Sequence, residues 1–417
     1  MDKFSKYFLM IDESDPKWTQ KTVKEYVLYK TAGSIHWDAA SMKVDIPEEH
    51  GNLNHVCRVY DDAGNRLYLK QAGSNLRISK DMTATLDRNR QESEILQIEE
   101  RLVPGMVPHV YFYDTVMSAC GMEDCSDYQV MRKALLKHEE FPDFAEHIST
   151  FLARTLLLSS DIVMEHKKKK DLVRRFINPD LDDITEKLVF TEPYKGADRN
   201  NIFPLNKVFV EKELFQDERL HLAVAKLKFH FMTNAEALLH GDLHTGSIFV
   251  TKEKTKVFDC EFGTYAPMGY DIGNIIANLI FAYANGMACQ NERFCRWVLD
   301  TIRELVDRFK TKFHALYEAN VVETMAKSDD FQRCYLCHVL RDTAGYAGTE
   351  LHRRTVGMAN VEDITSITDP EARLVAERML IYVGKDFILN SDHFMEGNHY
   401  ADALLRARAK AEETAVE

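Results

Sequence analysis

Proline and glycine are scarce in this 417-residue chain, at 10 and 18 residues, and tryptophan occurs 3 times. So few backbone breakers argue against a broadly disordered chain, and disorder is expected only at the ends. Basic residues are in deficit: 53 Lys and Arg against 66 Asp and Glu give 53 − 66 = −13. That sign argues against nucleic acid or a membrane surface as partner. Long apolar runs are missing too. The longest, Ile275 to Ala284, is interrupted by Asn278 and falls short of the ~20 residues a membrane span requires. The apolar patch Tyr7 to Met10 runs into Asp12-Glu13, so no signal peptide is read and a cytoplasmic location is expected. Cysteines Cys57, Cys120, Cys125, Cys260, Cys289, Cys295, Cys334 and Cys337 show no framework spacing, which predicts buried thiols in a reducing compartment. What is present, 45% hydrophobic and 29% charged residues, describes a globular protein long enough for two or three domains of roughly 150 residues each.

Residues 52 to 72 alternate in polarity around Asp61-Asp62-Ala63-Gly64-Asn65, which predicts a hairpin with Lys70 near the end of its second strand. Ile95, Leu96, Ile98 and Leu102 on a charged background predict an amphipathic helix from Asp87 to Leu102, stopped by Pro104-Gly105. Val107 to Tyr113 and Val116 to Met122 read as further strands, and Glu123 to Asp127 breaks the pattern. Helical spacing then dominates, over Phe144 to Val163, Leu172 to Phe176, Leu214 to Leu239, Asp271 to Lys312 and Cys334 to Arg341. One β-like island, Ser247 to Asp259, interrupts it. The expected class is α+β: a β-rich lobe over 1–122, a hinge at 123–127, a helical lobe over 128–403 and a frayed tail over 404–417.

The strongest constellation is His240-Gly241-Asp242-Leu243-His244-Thr245-Gly246-Ser247-Ile248, followed by Asp259-Cys260-Glu261-Phe262. Two acids in loops flanking one short hairpin suit phosphoryl transfer, where one carboxylate takes the proton of the attacking hydroxyl and another holds Mg2+ against nucleotide phosphates. Asp242 would be the first and Asp259 the second. Upstream, Lys70 on a strand and Glu92 in the next helix repeat the lysine–glutamate pairing of protein-kinase-like catalysts. Gly51-Asn52-Leu53-Asn54 replaces any GxGxxG, so ATP phosphates would be covered by backbone amides near Gly51 and by the Asn52 and Asn54 side chains.

These stretches, with Ala266-Pro267-Met268-Gly269-Tyr270-Asp271-Ile272-Gly273, Lys70-Gln71-Ala72, Met122-Glu123-Asp124, Phe190-Thr191-Glu192-Pro193-Tyr194 and Arg353-Arg354-Thr355-Val356-Gly357, resemble the methylthioribose kinase family. That family is a branch of the protein-kinase-like, aminoglycoside-phosphotransferase-like superfamily. The resemblance implies a bilobal kinase fold and transfer of phosphate from ATP, with Mg2+, to the anomeric hydroxyl of 5-methylthioribose in methionine salvage. It implies Asp242 as catalytic base and Asp242, His244, Arg353 and Arg354 as substrate-binding residues. Gly51, Asn52, Asn54, Lys70, Glu92, Met122, Glu123 and Asp124 are implied at ATP, and Asp259, Glu261 and Ser247 at the metal. The Met122–Asp124 backbone would meet adenine, Asp271 would brace the catalytic loop, and a homodimer is implied. Cys260, Gly263-Thr264-Tyr265-Ala266 and Glu49-His50 depart from the family pattern beside the site without removing a catalytic group.

Rival readings are a related kinase for a 5-deoxypentose, choline, homoserine or an aminoglycoside, and a nucleotide-binding pseudokinase. Cationic substrates call for acidic residues, whereas Arg353-Arg354 offers cations. A pseudokinase would lack one of Lys70, Glu92, Asp242, Asp259 or Glu261, and all are present. Cys334-Tyr335-Leu336-Cys337-His338 matches a haem-attachment string but reads as an apolar core helix, and Lys167 to Lys170 with Arg174-Arg175 as a solvated helix face.

Overall fold

The alternation around Asp61–Asn65 becomes the strands Asn54–Tyr60 and Arg66–Ala72 in the computed structural model, which describes residues 3–12, 14–47, 54–73, 75–76, 79–83 and 85–415. Asp61 closes the turn by accepting the Asn65 N–H at 2.8 Å, and Gly64 takes φ of 90°, a value side chains rarely tolerate. The antiparallel sheet runs Lys43–Asp45, Asn54–Tyr60, Arg66–Ala72, Ala119–Met122, Val110–Asp114. Lys70 stands opposite Val56 on one side and Cys120 on the other, so its strand is central. The two-residue side-chain period then sorts the faces. Leu67 and Leu69 join Val59, Met117 and the N-terminal helix Pro16–Lys30 in one core, while Lys70 faces away from them toward the helix Asp87–Leu102. That helix buries Glu92, Ile95, Leu96 and Glu99, one stripe at three- and four-residue spacing.

Residues 1–128 with 256–262 form one unit, and residues 129–255 with 263–417 a second. The second is built of helices. Its centre is the helix Gly269–Ala288, buried over almost its whole length, with Asp329–Val356 packed on it. Gly269 and Gly273 set how close these two come: a Cβ would lie 2.5 Å from the Thr343 nitrogen at the first and 2.6 Å from the Ala347 nitrogen at the second. We expect Gly273→Val to force the helices apart and to cost about 1–3 kcal/mol, as overpacking does. A thermal unfolding midpoint equal to that of the wild type would show that the contact is not tight.

Several boundaries differ from the sequence reading. The strand read from Val107 starts at Val110, and that read from Val116 starts at Ala119, because the Asp114 carboxylate accepts the Val116 and Met117 N–H groups and Ser118 adopts φ of 44°. The helix read through Leu239 stops at Thr233, and Ala237–Leu238 pairs instead with Tyr265–Ala266. The helix read from Phe144 ends at Leu158, and Leu172 to Phe176 falls largely within His166–Arg175. The long helix read to Lys312 breaks at Gln290, which has φ of 56°, and restarts at Glu292 with Asn291 as its cap. Cys334, Cys337 and His338 are exposed; the helix Asp329–Val356 is mostly buried from Val339 onward, while before it Gln332 is buried and Tyr335 packs on Phe313 and Tyr317. Cys289 is exposed as well, whereas Cys57, Cys120, Cys125, Cys260 and Cys295 are buried as expected. Lys169, within the supposedly solvated basic run, is fully buried against Asp161 and the Tyr265 ring. From Leu404 onward the expected frayed tail is the second half of the helix Gly397–Ala415, with Leu404, Ala407 and Ala411 buried.

Candidate active site

In the first unit the Lys70 ammonium donates to Glu92 Oε1 at 2.8 Å and to Asp259 Oδ1 at 2.5 Å. Asp259 takes φ of 69°, a strained conformation for a side-chain-bearing residue that aims its carboxylate at the lysine. Glu261 accepts from Asn54 Nδ2 at 2.9 Å and lies 3.4 Å from Arg88 Nε, while Arg88 Nη2 donates to Asn54 Oδ1 at 3.2 Å. Burial, together with the Asp259 and Glu261 charges, pushes the Glu92 carboxyl up against the pull of Lys70. Burial and the Asp259 charge likewise raise Glu261. Three carboxylates thus crowd one lysine and one arginine, a field that favours an added cation. Among the described residues no group of three His, Cys, Asp or Glu side chains is arranged to hold a metal ion.

Asp124 accepts from Arg58 Nε at 2.6 Å and Glu123 from Lys256 Nζ at 2.7 Å, so both side chains are engaged by neighbouring cations. The Glu123 N–H already serves the His109 carbonyl at 2.7 Å, while the Met122 strand ends beside it. Gly51 and Asn52 lie outside the described residues.

In the second unit, Asp271 at the start of the central helix accepts the His240 N–H at 2.7 Å and the Gly241 N–H at 3.1 Å. With Gly241 at φ of 84°, this clamp fixes the loop that carries Asp242. Asp242 Oδ1 accepts from Arg353 Nη1 at 3.4 Å and from Arg354 Nη2 at 3.2 Å, and Oδ2 lies 3.4 Å from His244 Nε2. His244 Nδ1 meets Ser247 Oγ at 3.2 Å, so the Ser247 hydroxyl is engaged within this unit. Burial would raise the Asp242 carboxyl, but His244, Arg353 and Arg354 outweigh it and hold the group well below the ordinary carboxylate range. Burial lowers His244 itself, against the pull of Asp242. The helical register of Asp329–Val356 presents both guanidinium groups to one carboxylate oxygen, and Glu350 on the same helix also accepts from both.

Sequence reasoning missed Arg88, Glu350 and Arg132. Arg132 Nε donates to Thr245 Oγ1 at 3.3 Å, and Nη2 to Asn278 Oδ1 at 2.7 Å. Glu350 stands three and four residues before the two arginines, a spacing common to any helix carboxylate and so no signal by itself.

A phosphotransferase enzyme family model matches residues 47–305. The methylthioribose kinase of Erwinia tasmaniensis is 40% identical over 400 residues, covering 92% of this chain and 98% of the relative. That of Bacillus pumilus is 37% identical over 340 residues, covering 81% and 85%. The chain belongs to the methylthioribose kinase family. A methylthioribose kinase family member is a phosphotransferase with a hydroxyl acceptor, and ATP is the donor its kinase membership implies. The choline kinase of Cryptosporidium parvum Iowa II superposes with a TM-score of 0.50 over 95% of this chain and 96% of that one at 10% identity. That likeness concerns the fold, and with the antiparallel sheet and helical remainder it bears out the expected protein-kinase-like α+β class. No helix among the described residues is long and apolar enough to cross a membrane.

Proposed function

We propose that this chain transfers the γ-phosphoryl group of ATP to the anomeric hydroxyl of 5-methylthioribose, giving 5-methylthioribose 1-phosphate and ADP in the salvage of methionine in the cytoplasm. The observation that carries the reading is the Asp242–Arg353–Arg354 contact, a carboxylate and two guanidinium groups converging on one point. A hydroxyl bound there donates its proton to Asp242 as the oxygen attacks, and His244 orients the other carboxylate oxygen. Because its arginines keep Asp242 a weak base, proton transfer comes late, as suits a loose transition state. Arg353 and Arg354 then face the charge spreading over the transferring phosphoryl oxygens. Lys70, held by Glu92, serves the nucleotide phosphates, and the backbone of Met122 to Asp124 serves adenine. Asp259 and Glu261 would hold Mg2+, which neutralises phosphate charge when bound; the engagement of Ser247 by His244 supports Glu261 over Ser247 as the second ligand. The cations at the acceptor position favour a neutral polyol over choline or an aminoglycoside. The resemblance also implies a homodimer, which sedimentation would test.

Coupled measurement of ADP release with Mg-ATP against 5-methylthioribose, 5-deoxyribose, ribose, choline, homoserine and kanamycin tests this reading. Methylthioribose is expected to give the highest kcat/KM; a preference for any amine would move the acceptor assignment elsewhere.

A further inference from the structure

The two arginines are held by more than Asp242. Glu350, three residues before Arg353 and four before Arg354 on the helix Asp329–Val356, accepts from Arg353 Nη1 at 3.1 Å and from Arg354 Nε at 2.8 Å. Its side chain is 1% exposed, against 19% for Asp242. The carboxylate is therefore sealed from solvent, yet it bonds both cations that Asp242 also bonds, sharing Arg353 Nη1 with it. Burial would raise its carboxyl, but Arg354 and Arg353 outweigh that and keep it ionised.

Asp242 and Glu350 thus balance Arg353 and Arg354, two charges against two. The balance changes in the proposed reaction, on whose reading this inference rests. When the hydroxyl proton moves to an Asp242 oxygen, that carboxylate loses its charge, and its hold on the guanidinium groups weakens just as they are needed at the phosphoryl oxygens. Two buried cations side by side would then repel each other. We infer that Glu350 is a positioning residue: its permanent charge keeps the Arg353–Arg354 pair in register while Asp242 is protonated. It touches neither reactant.

Glu350→Gln keeps the size and removes only the charge. We expect kcat to fall about 10²-fold, in the range for a lost preorganised electrostatic contact, with the dissociation constant of a fluorescent ATP analogue within about 2-fold of wild type. In an Arg353→Ala/Arg354→Ala background the same substitution should change kcat less than about 3-fold, since its targets are gone; such non-additivity marks residues that act as a unit. Glu350→Asp, which keeps the charge one methylene further back, should retain more activity than Glu350→Gln and serves if the latter does not fold. Wild-type kcat in Glu350→Gln, equal losses in both backgrounds, an Asp variant no better than the Gln variant, or parallel loss of nucleotide binding would overturn the inference. If Asp242→Asn is inactive while Glu350→Gln is fully active, this inference alone fails. If Asp242→Asn is active, the underlying reading fails.

Discussion

Asp242→Asn is expected to lower kcat by about 10²–10⁴-fold, the span that positioned general base catalysis supplies, while nucleotide binding stays near wild type. The amide keeps the shape and the hydrogen-bond acceptor oxygen but cannot take the hydroxyl proton. Nucleotide binding survives because Lys70 holds Glu92 and Asp259, and Asn54 and Arg88 hold Glu261, all within the first unit. The same substitution removes an anion shared by two buried cations. Asp242 is ionised far below its ordinary range in the folded chain, so its stabilising effect is present above the unfolded pKa and disappears as pH falls through the folded one. The variant should therefore unfold at a lower temperature than wild type at pH 7, with the gap closing in acid. Steady-state kinetics, a nucleotide titration and melting curves check the three statements separately.

Arg354→Ala should be almost as damaging, with a loss in kcat/KM for the sugar of about 10²–10³-fold, and Arg353→Ala similar or slightly smaller. Arg354 makes the shorter contacts, 3.2 Å to Asp242 and 2.8 Å to Glu350, against 3.4 Å and 3.1 Å for Arg353. Removing either leaves a buried carboxylate short of one partner, which costs about 3–5 kcal/mol where one member of a buried pair is deleted. Part of that cost falls on stability, so kinetics are best measured well below the melting transition. The effect should appear in kcat and in KM for the sugar, with KM for ATP nearly unchanged. Lysine at position 354 should rescue poorly, because a single ammonium cannot bridge Asp242 and Glu350 as the planar fork does. A loss confined to the ATP terms would place the arginines on the nucleotide instead.

The chemistry-bearing motifs were legible because they are local. His240 to Ile248 and Asp259 to Phe262 announce two acids in tight loops. Period-two alternation put Lys70 on a strand, and helical spacing put Glu92 in the helix whose apolar residues include Ile95 and Leu96; the structure adds that Glu92 itself is buried. What stayed hidden depends on which surfaces meet. Glu350 looks like any helix carboxylate until the close approach at Gly269 and Gly273 shows its turn of helix to be interior. Arg88 carries no motif, yet it is fully buried beside Glu261. Lys169 was misjudged for the same reason: five of the six residues from His166 to Asp171 are solvated and one is not. In Cys334 to His338 the apolar texture suggested core, but those turns lie outside the contact that buries Val339 onward. Helix ends at Thr233 and Gln290 were set by pairing and capping contacts that periodicity does not report.

In the proposed reaction this kinase places phosphate on the anomeric oxygen of methylthioribose. The most direct test is ³¹P and ¹³C NMR of the product formed by the purified wild-type protein from Mg-ATP and 5-methylthioribose. A single phosphate doublet coupled to the anomeric proton, with the 2- and 3-carbons unshifted by esterification, is the predicted result. Phosphate on O2 or O3, or no sugar phosphate while ATP still binds, would contradict it.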